Sequence, residues 1–356
     1  MTAAILRATG WLPWRAALLP LGMVALALMF GLAVAVAYGK GAMAVLAAFG
    51  EGAFGSAYAV GASLNRATVF ALVALGFCWA YRLRLVNVGG EGQIAIGGIC
   101  ATALALHGGA SALPAPLCYL LPALAAAAGG ALWGGTAGVL KVRFGANEVI
   151  TSLLLGFVAL WVLYAATHSE AWLRQPVTSS TSLPESLDVP PPTRLPLLHG
   201  ASGSPLHQGL VWALGAVGLL WFLLERTVLG VRLRAIGLNE RAAAHFGIRA
   251  RLHLALAMAV AGGFAGLAGG CMILGDQFNL KAEFSSGYGF DGLVVGLLAR
   301  GSPLAVLPYA LLFGFLRSGG IAMEISAGVP SALMLALQGG LTVAVAAAQL
   351  GRREPA

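Results

Sequence analysis

Apolar residues fill long stretches of this chain with little polar interruption. About 20 helical residues cross the hydrocarbon core of a bilayer, so run length is the first signal. The pattern predicts ten spans, at about 16–38, 57–80, 86–107, 116–140, 148–168, 209–225, 253–274, 287–299, 303–320 and 329–350. The ninth and especially the eighth are short and rest partly on topology. An all-α polytopic membrane fold follows, read as a single transmembrane domain over residues 1–356.

Two connections are long. Residues 169–208 are rich in Ser, Pro and Thr ("TSSTSLPESLDVPPPTRLP"), which predicts an irregular loop, since proline fixes φ and removes a donor. Residues 226–252 hold six arginines. With the N-terminus inside and alternating spans, 15 of the 21 basic residues lie inside. The six others are Lys40, Arg66, Arg174, Arg194, Lys281 and Arg317. Basic loops resist translocation, so both termini and 226–252 are expected in the cytoplasm, and 169–208 outside.

Composition agrees. The 356 residues are 59% hydrophobic and 10% charged, with mean hydropathy +0.86, whereas soluble domains carry about a quarter charged residues. The net charge of +8 does not indicate nucleic acid, because the basic residues sit in short clusters between apolar runs. The first run, preceded by Arg7 and Arg15, is longer than a signal-peptide core and is read as a retained helix. Cys78, Cys100, Cys118 and Cys271 lie within or at the edge of apolar runs, share no metal spacing and are read as small buried hydrophobes. The histidines lack ligand spacing too.

Small residues recur every four positions at Gly130, Gly134 and Gly138, and again at Gly262, Gly266 and Gly270. Such faces let helix backbones approach closely in lipid, and packing is their expected role. "GGEGQIAIG" and "GFDGLVVGL" place Glu91 and Asp291 200 positions apart in similar settings. "GANEVITSLLLG" and "GVPSALMLALQG" likewise open the fifth and tenth spans. Spans 2–5 and 7–10 then form an inverted repeat, with the solute path near the repeat interface.

Polar groups inside spans are the candidate path residues. A carboxylate at the bilayer centre costs about 2.5 kcal/mol or more and usually faces protein or water. Asn87, Glu91 and Gln93 lie in "NVGGEGQIAIGG", with Asn87 and Glu91 on one helical face and Gln93 pointing elsewhere. Two readings stand: a broken helix end lining the path, or a capped helix whose Glu91 accepts backbone hydrogen bonds. Asn147 and Glu148 fit an N-cap and first turn. Tyr288 and Asp291 in "GYGFDG" complete the set. The topology puts Glu91 and Asp291 near opposite membrane faces.

In "GVRLRAIGLNERAAAHFGIRARLH", Asn239 is a favoured N-cap, Glu240 suits a first turn and Gly247 a stop. A helix of about two turns between Gly237 and Gly247, too short to span, reads as a projecting knob for a cytoplasmic partner. A plain positive-inside anchor would need only the arginines. No phosphate-binding loop is present in the sequence, so any ATP is bound by another chain.

Together "NVGGEGQIAIGG", "GANEVITSLLLGF", "LRAIGLNERAAAHFGI", "GYGFDGLVVGLLARGSPLAVLPYALLFGFLRSGG" and "GVPSALMLALQGG" resemble permease subunits of ABC importers of the branched-chain amino acid/ribose/nucleoside family. The resemblance is closest to the longer of two paired permeases in nucleoside and simple-sugar systems. It implies a cytoplasmic ATPase, a second permease and an extracytoplasmic substrate-binding lipoprotein, in the bacterial inner membrane. It implies ATPase coupling through Arg234, Gly237, Asn239, Ala243 and Gly247, to which Glu240 and Arg241 of the knob are added. No cofactor is expected in this chain, and no bond chemistry. Purine nucleoside is the expected solute, with a simple sugar as the next choice. Gly90 and Gly156 depart from residues often seen in relatives. An ion-coupled secondary transporter using Glu91 and Asp291 and an intramembrane enzyme are the rival classes.

Overall fold

The computed structural model describes residues 41–177, 183–198 and 203–328, with isolated residues 29, 36 and 39. The expected first and tenth spans lie outside the described residues, apart from Met29 and Val36. Two compact units emerge, one of residues 1–59 with 316–356 and one of residues 60–315.

The helices are α1 (Ala42–Phe54), α2 (Ala57–Tyr81), α3 (Gly90–His107), α4 (Leu117–Phe144), α5 (Glu148–His168), α6 (Gly209–Arg226), α7 (Val228–Leu238), α8 (Glu240–His245), α9 (Ala250–Met272), α10 (Tyr288–Leu298) and α11 (Pro303–Ala327). One π-helical turn, Ile273–Gln277, extends α9. Among the described residues, six helices are long and apolar enough to cross a membrane: α2, α4, α5, α6, α9 with its π turn, and α11. Within the first unit, α1 packs beside the end of α11, where a Cβ on Gly52 would meet Ala322 and one on Gly319 would meet Phe49. Neither α1 nor α7 was expected from the sequence, which left both segments as connections.

The second unit is built around a glycine seam. A Cβ on Gly134 would lie 2.5 Å from the Met258 carbonyl oxygen, and one on Gly138 2.7 Å from that of Ala255. Gly130 and Gly262 face each other's carbonyl oxygens, and Gly266 faces that of Ala126. Glycine is needed because α4 and α9 touch backbone to backbone, in antiparallel sense. Helix α3 crosses them, with Gly97 on Gly266 and Gly269 on the Ile94 carbonyl. This arrangement accounts for the four-residue spacings.

Two non-helical segments enter this bundle and set its functional geometry. After α2, residues 85–89 run back along the helix, and α3 starts only at Gly90 rather than at residue 86. Gly90 sits against Val73, eight residues before the end of α2. At 1.5 Å per residue this is about 12 Å inside. Gly92 sits against Gly156, eight residues into α5, which gives the same depth. Residues 278–287 enter from the other end, and α10 begins beside α3 with Gly289 against Glu91. Helix α10 then runs parallel to α2, matching Gly292 to Val73, Gly296 to Phe77 and Gly301 to Tyr81. Its 11 residues cover about 16 Å, half a bilayer core. Each described helix of the second expected repeat runs opposite to its counterpart: α9 to α2, α10 to α3 and α11 to α4.

The described stretches 183–198 and 203–207 are irregular, as their composition predicts, yet they are held firmly. Val189 donates to the Phe278 carbonyl at 2.7 Å and Leu195 to that of Leu274 at 2.8 Å. Ser186 donates to the Leu280 carbonyl, and its hydroxyl accepts from the Leu280 amide. Val189, Thr193, Leu195 and Leu206 are buried. Asn279 donates to Glu185, and Lys281 pairs with the same carboxylate at 3.5 Å.

Candidate functional site

Glu91 occupies the meeting point of the two entering segments. Its carboxylate accepts from the Ser285 hydroxyl at 2.6 Å, the Gly287 amide at 2.8 Å and the Gly289 amide at 2.7 Å. The last two amides belong to the start of α10, where donors are left over and the helix dipole favours an anion. Gly287 supplies the cap with φ +83°, and a Cβ on Gly289 would strike the Glu91 backbone. Glu91 is 5% exposed. Its charge is therefore met by donors 194 to 198 residues away along the chain, and it latches α3 to α10.

Asp291 lies in the first turn of the same α10 and is half-buried. The expectation that Glu91 and Asp291 sit near opposite faces is therefore corrected. Both lie at the start of α10, because both preceding segments re-enter the bundle instead of ending at its surface. Tyr288 is 8% exposed and stacks on Phe70, with centroids 5.0 Å apart, so it belongs to the core.

Asn87 and Gln93 form a reciprocal amide pair, not the separate groups read from helical phase. Asn87 donates to Gln93 Oε1 at 2.8 Å, and Gln93 donates to Asn87 Oδ1 at 3.1 Å. The helical phase fails because residue 87 precedes α3 and is not part of it. Oδ1 of Asn87 also accepts from the Gly89 amide, which holds the turn into α3, while Gly89 itself is the N-cap. Ser152, not singled out from the sequence, accepts from the Val88 amide at 3.1 Å. Asn147 caps α5, accepting from the amides of Val149 and Ile150. Glu148 pairs with Lys141 at 2.7 Å, tying α5 to the end of α4. A cleft of about 10 Å³, bounded by Val88, Glu91, Gly156, Phe157 and Phe290, lies between α3, α5 and α10. It has room for about one water.

At the end of the bundle where α2 finishes, Asn239 caps α8 by accepting from the Ala242 amide at 3.0 Å. Gly247, with φ +76°, ends it. Glu240, Arg241 and Gly247 are exposed, as is Phe246 at 87% and Leu238 at 68%. Ala243 is 3% exposed and faces the protein. Gly237 is held against the Arg82 carbonyl. Arg234 pairs with Glu225, which also binds Arg82. The sequence signals for this knob were its N-cap and its glycine stop.

At the opposite end His207 is buried and joins α2 to α9. Its amide donates to Asn65 Oδ1 at 3.3 Å, Asn65 donates to the Pro205 carbonyl at 2.8 Å, and the imidazole lies on Gly275. Nδ1 accepts from the Gly209 amide at 3.1 Å, which only a neutral ring does. Burial lowers its pKa from 6.5 to about 4. The unfolded chain then binds the proton first as pH falls. Stability is complete above about pH 6.5, declines from there towards pH 4, and is constant below, with a total loss of about 3 kcal/mol. The melting temperature of purified protein is expected to fall more steeply between pH 7 and 5 in wild type than in His207→Phe. Parallel slopes in the two proteins would contradict this assignment.

A helical membrane bundle whose broken helices meet at depth around a carboxylate has the architecture of a solute transporter. The family model described as "Branched-chain amino acid transport system / permease component" matches residues 59–346, and the chain belongs to this family. It is a multi-pass membrane permease and not an enzyme. A guanosine ABC transporter permease protein of Bacillus subtilis is 34% identical over 317 residues, covering 88% of each chain. A glucose ABC transporter permease protein of Haloferax volcanii is 33% identical over 284 residues, 77% of this chain and 72% of that one. A nucleoside ABC transporter permease protein of Lactococcus lactis is 30% identical over 318 residues, 89% and 86% respectively. No solved structure matches. Membership sets aside both the ion-coupled transporter and the intramembrane enzyme.

Proposed function

We propose that this chain is the membrane permease of an ATP-driven importer of purine nucleosides or, as the next choice, simple sugars. A lipoprotein outside delivers the solute, a second permease completes the pore, and a separate ATPase binds ATP inside. The chain sits in a bacterial inner membrane with both termini in the cytoplasm. Relatives named for guanosine, nucleoside and glucose transport support the solute class. The observation that carries the ATPase contact is the capped six-residue helix α8, with exposed Arg241 and Phe246 around it. Buried Ala243 positions that knob and does not contact the partner.

In this mechanism the solute passes between α3, α5, α10 and the second permease. ATPase closure pushes α8, and α9, which starts five residues beyond α8, carries the movement to the glycine seam. Asn87, Glu91, Gln93, Asn147, Glu148, Tyr288 and Asp291 are the candidate residues along that path, with Glu91 holding the two broken helices together.

The double variant Arg241→Glu, Phe246→Asp is expected to abolish ATPase co-purification and to lower uptake at least tenfold. Its melting temperature should be unchanged, because both side chains are exposed. If it retained coupled uptake, the ATPase contact would have to lie elsewhere. A cysteine at Glu240 should react only with reagents that reach the cytoplasm.

A further inference from the structure

Around the knob, four arginines from three separate parts of the chain converge on one cavity. Arg82 and Arg84 follow α2, Arg234 comes from α7 and Arg300 from the turn after α10. The cavity measures about 550 Å³ and has Tyr81 and Ser302 in its wall. Among the described residues no carboxylate lines it, and Glu225 binds Arg82 and Arg234 from one side.

Two of these residues also hold unfavourable backbone. Arg84 has φ +57° and Arg300 has φ +51°, in the left-handed region that non-glycine residues seldom enter. Arginines serving only membrane orientation need neither convergence nor a left-handed backbone. Strained residues that gather at one concavity point to a site. Guanidinium groups bind phosphate oxygens in bidentate fashion and carry less hydration than an ammonium, which suits a partly enclosed site.

We infer that this cavity is a phosphate-binding site, taking the phosphate of a phospholipid headgroup or of a soluble phosphate compound. Its volume exceeds that of a bare phosphate and suits a phosphate with its attached group. It lies where helix α2 ends, about 12 Å beyond the level of Glu91, at one end of the bundle. Basic pockets at this level between membrane helices recognise anionic headgroups. The inference can fail separately from the ATPase contact, because Arg84 and Arg300, the residues tested below, are not among the coupling residues.

The test compares wild type with Arg84→Gly, Arg300→Gly, which removes two guanidinium groups and suits both backbone positions. A control, Arg143→Gly, Arg232→Gly, removes the same charge outside the cavity. For the lipid source, each protein is purified from phosphatidylglycerol-containing membrane and its bound phospholipid is counted by native mass spectrometry. For the soluble source, melting temperature is followed against inorganic phosphate, with chloride at matched ionic strength. The expected result is retained phosphatidylglycerol, or a phosphate-specific melting shift, in wild type and control, with apparent affinity at least tenfold weaker in the cavity variant. The inference is overturned if wild type shows neither signal. It is equally overturned if the control loses as much as the cavity variant, which would mark diffuse surface attraction, or if only an acidic segment of a partner protein binds. Should the double variant not fold, Arg84→Gly alone serves, with the same outcomes.

Discussion

Glu91→Ala is expected to lower the melting temperature of the purified permease by about 10 °C and to reduce uptake to background. The alanine leaves the Ser285 hydroxyl and the amides of Gly287 and Gly289 without their acceptor, deep in the bundle. Each buried donor stranded in this way costs about 1–3 kcal/mol, so three of them cost about 3 kcal/mol or more, a large part of a domain's stability. Glu91→Gln retains one acceptor oxygen but turns an amide group towards donors, so its melting temperature should fall between wild type and alanine. The order wild type, glutamine, alanine is the signature of a latch. A Glu91→Ala protein that melted like wild type and still failed in uptake would assign Glu91 to the solute instead.

The second large effect is expected at the seam of α4 and α9. Gly262→Val should prevent recovery of a monodisperse protein, because the new side chain points into the Gly130 carbonyl. A backbone carbonyl within a helix has no rotamer by which to move aside, so the helices must separate. The expected cost exceeds the usual overpacking penalty of about 1–3 kcal/mol. Gly135→Ala, on the same helix α4, is the contrast. Its Cβ would meet its nearest neighbour, Ala259 Cβ, at 3.4 Å, a distance that a slight adjustment absorbs. Alanine there should be neutral or stabilising by up to about 1 kcal/mol, through helix propensity. Equal tolerance of both substitutions, read by size-exclusion chromatography and melting temperature, would remove the backbone contact from the account of the fold.

These two sites differ in how much of them the sequence reveals. The glycine faces are visible as four-residue spacings because a helix contact repeats with the helix period. The α8 knob is visible because its cap and its stop are local signals, set by residues within a few positions of each other. The latch is different. Glu91 and its unusual glycine surroundings stand out, but Ser285 and Gly287 look like an ordinary loop before a helix.

The misplacement of Asp291 has the same origin. A topology count treats every apolar run as a full crossing, whereas α10 has 11 residues and begins inside the bundle. The Asn87–Gln93 pair was missed because helical phase was applied to a residue that precedes its helix. The four-arginine cavity escaped notice because each arginine separately satisfied the topology rule.

Run length, local capping and glycine spacing thus determined from sequence that this is a many-helix membrane protein, which connection forms the knob, and which helices approach closely, while the motifs carried the resemblance to permeases. Those properties depend on composition and on neighbours within a turn or two. Only the tertiary structure decided that two broken helices meet at depth, that Glu91 closes their junction, and that the arginines share one cavity. Each of these depends on groups brought together from segments far apart along the chain, by non-helical backbone whose path no periodicity records.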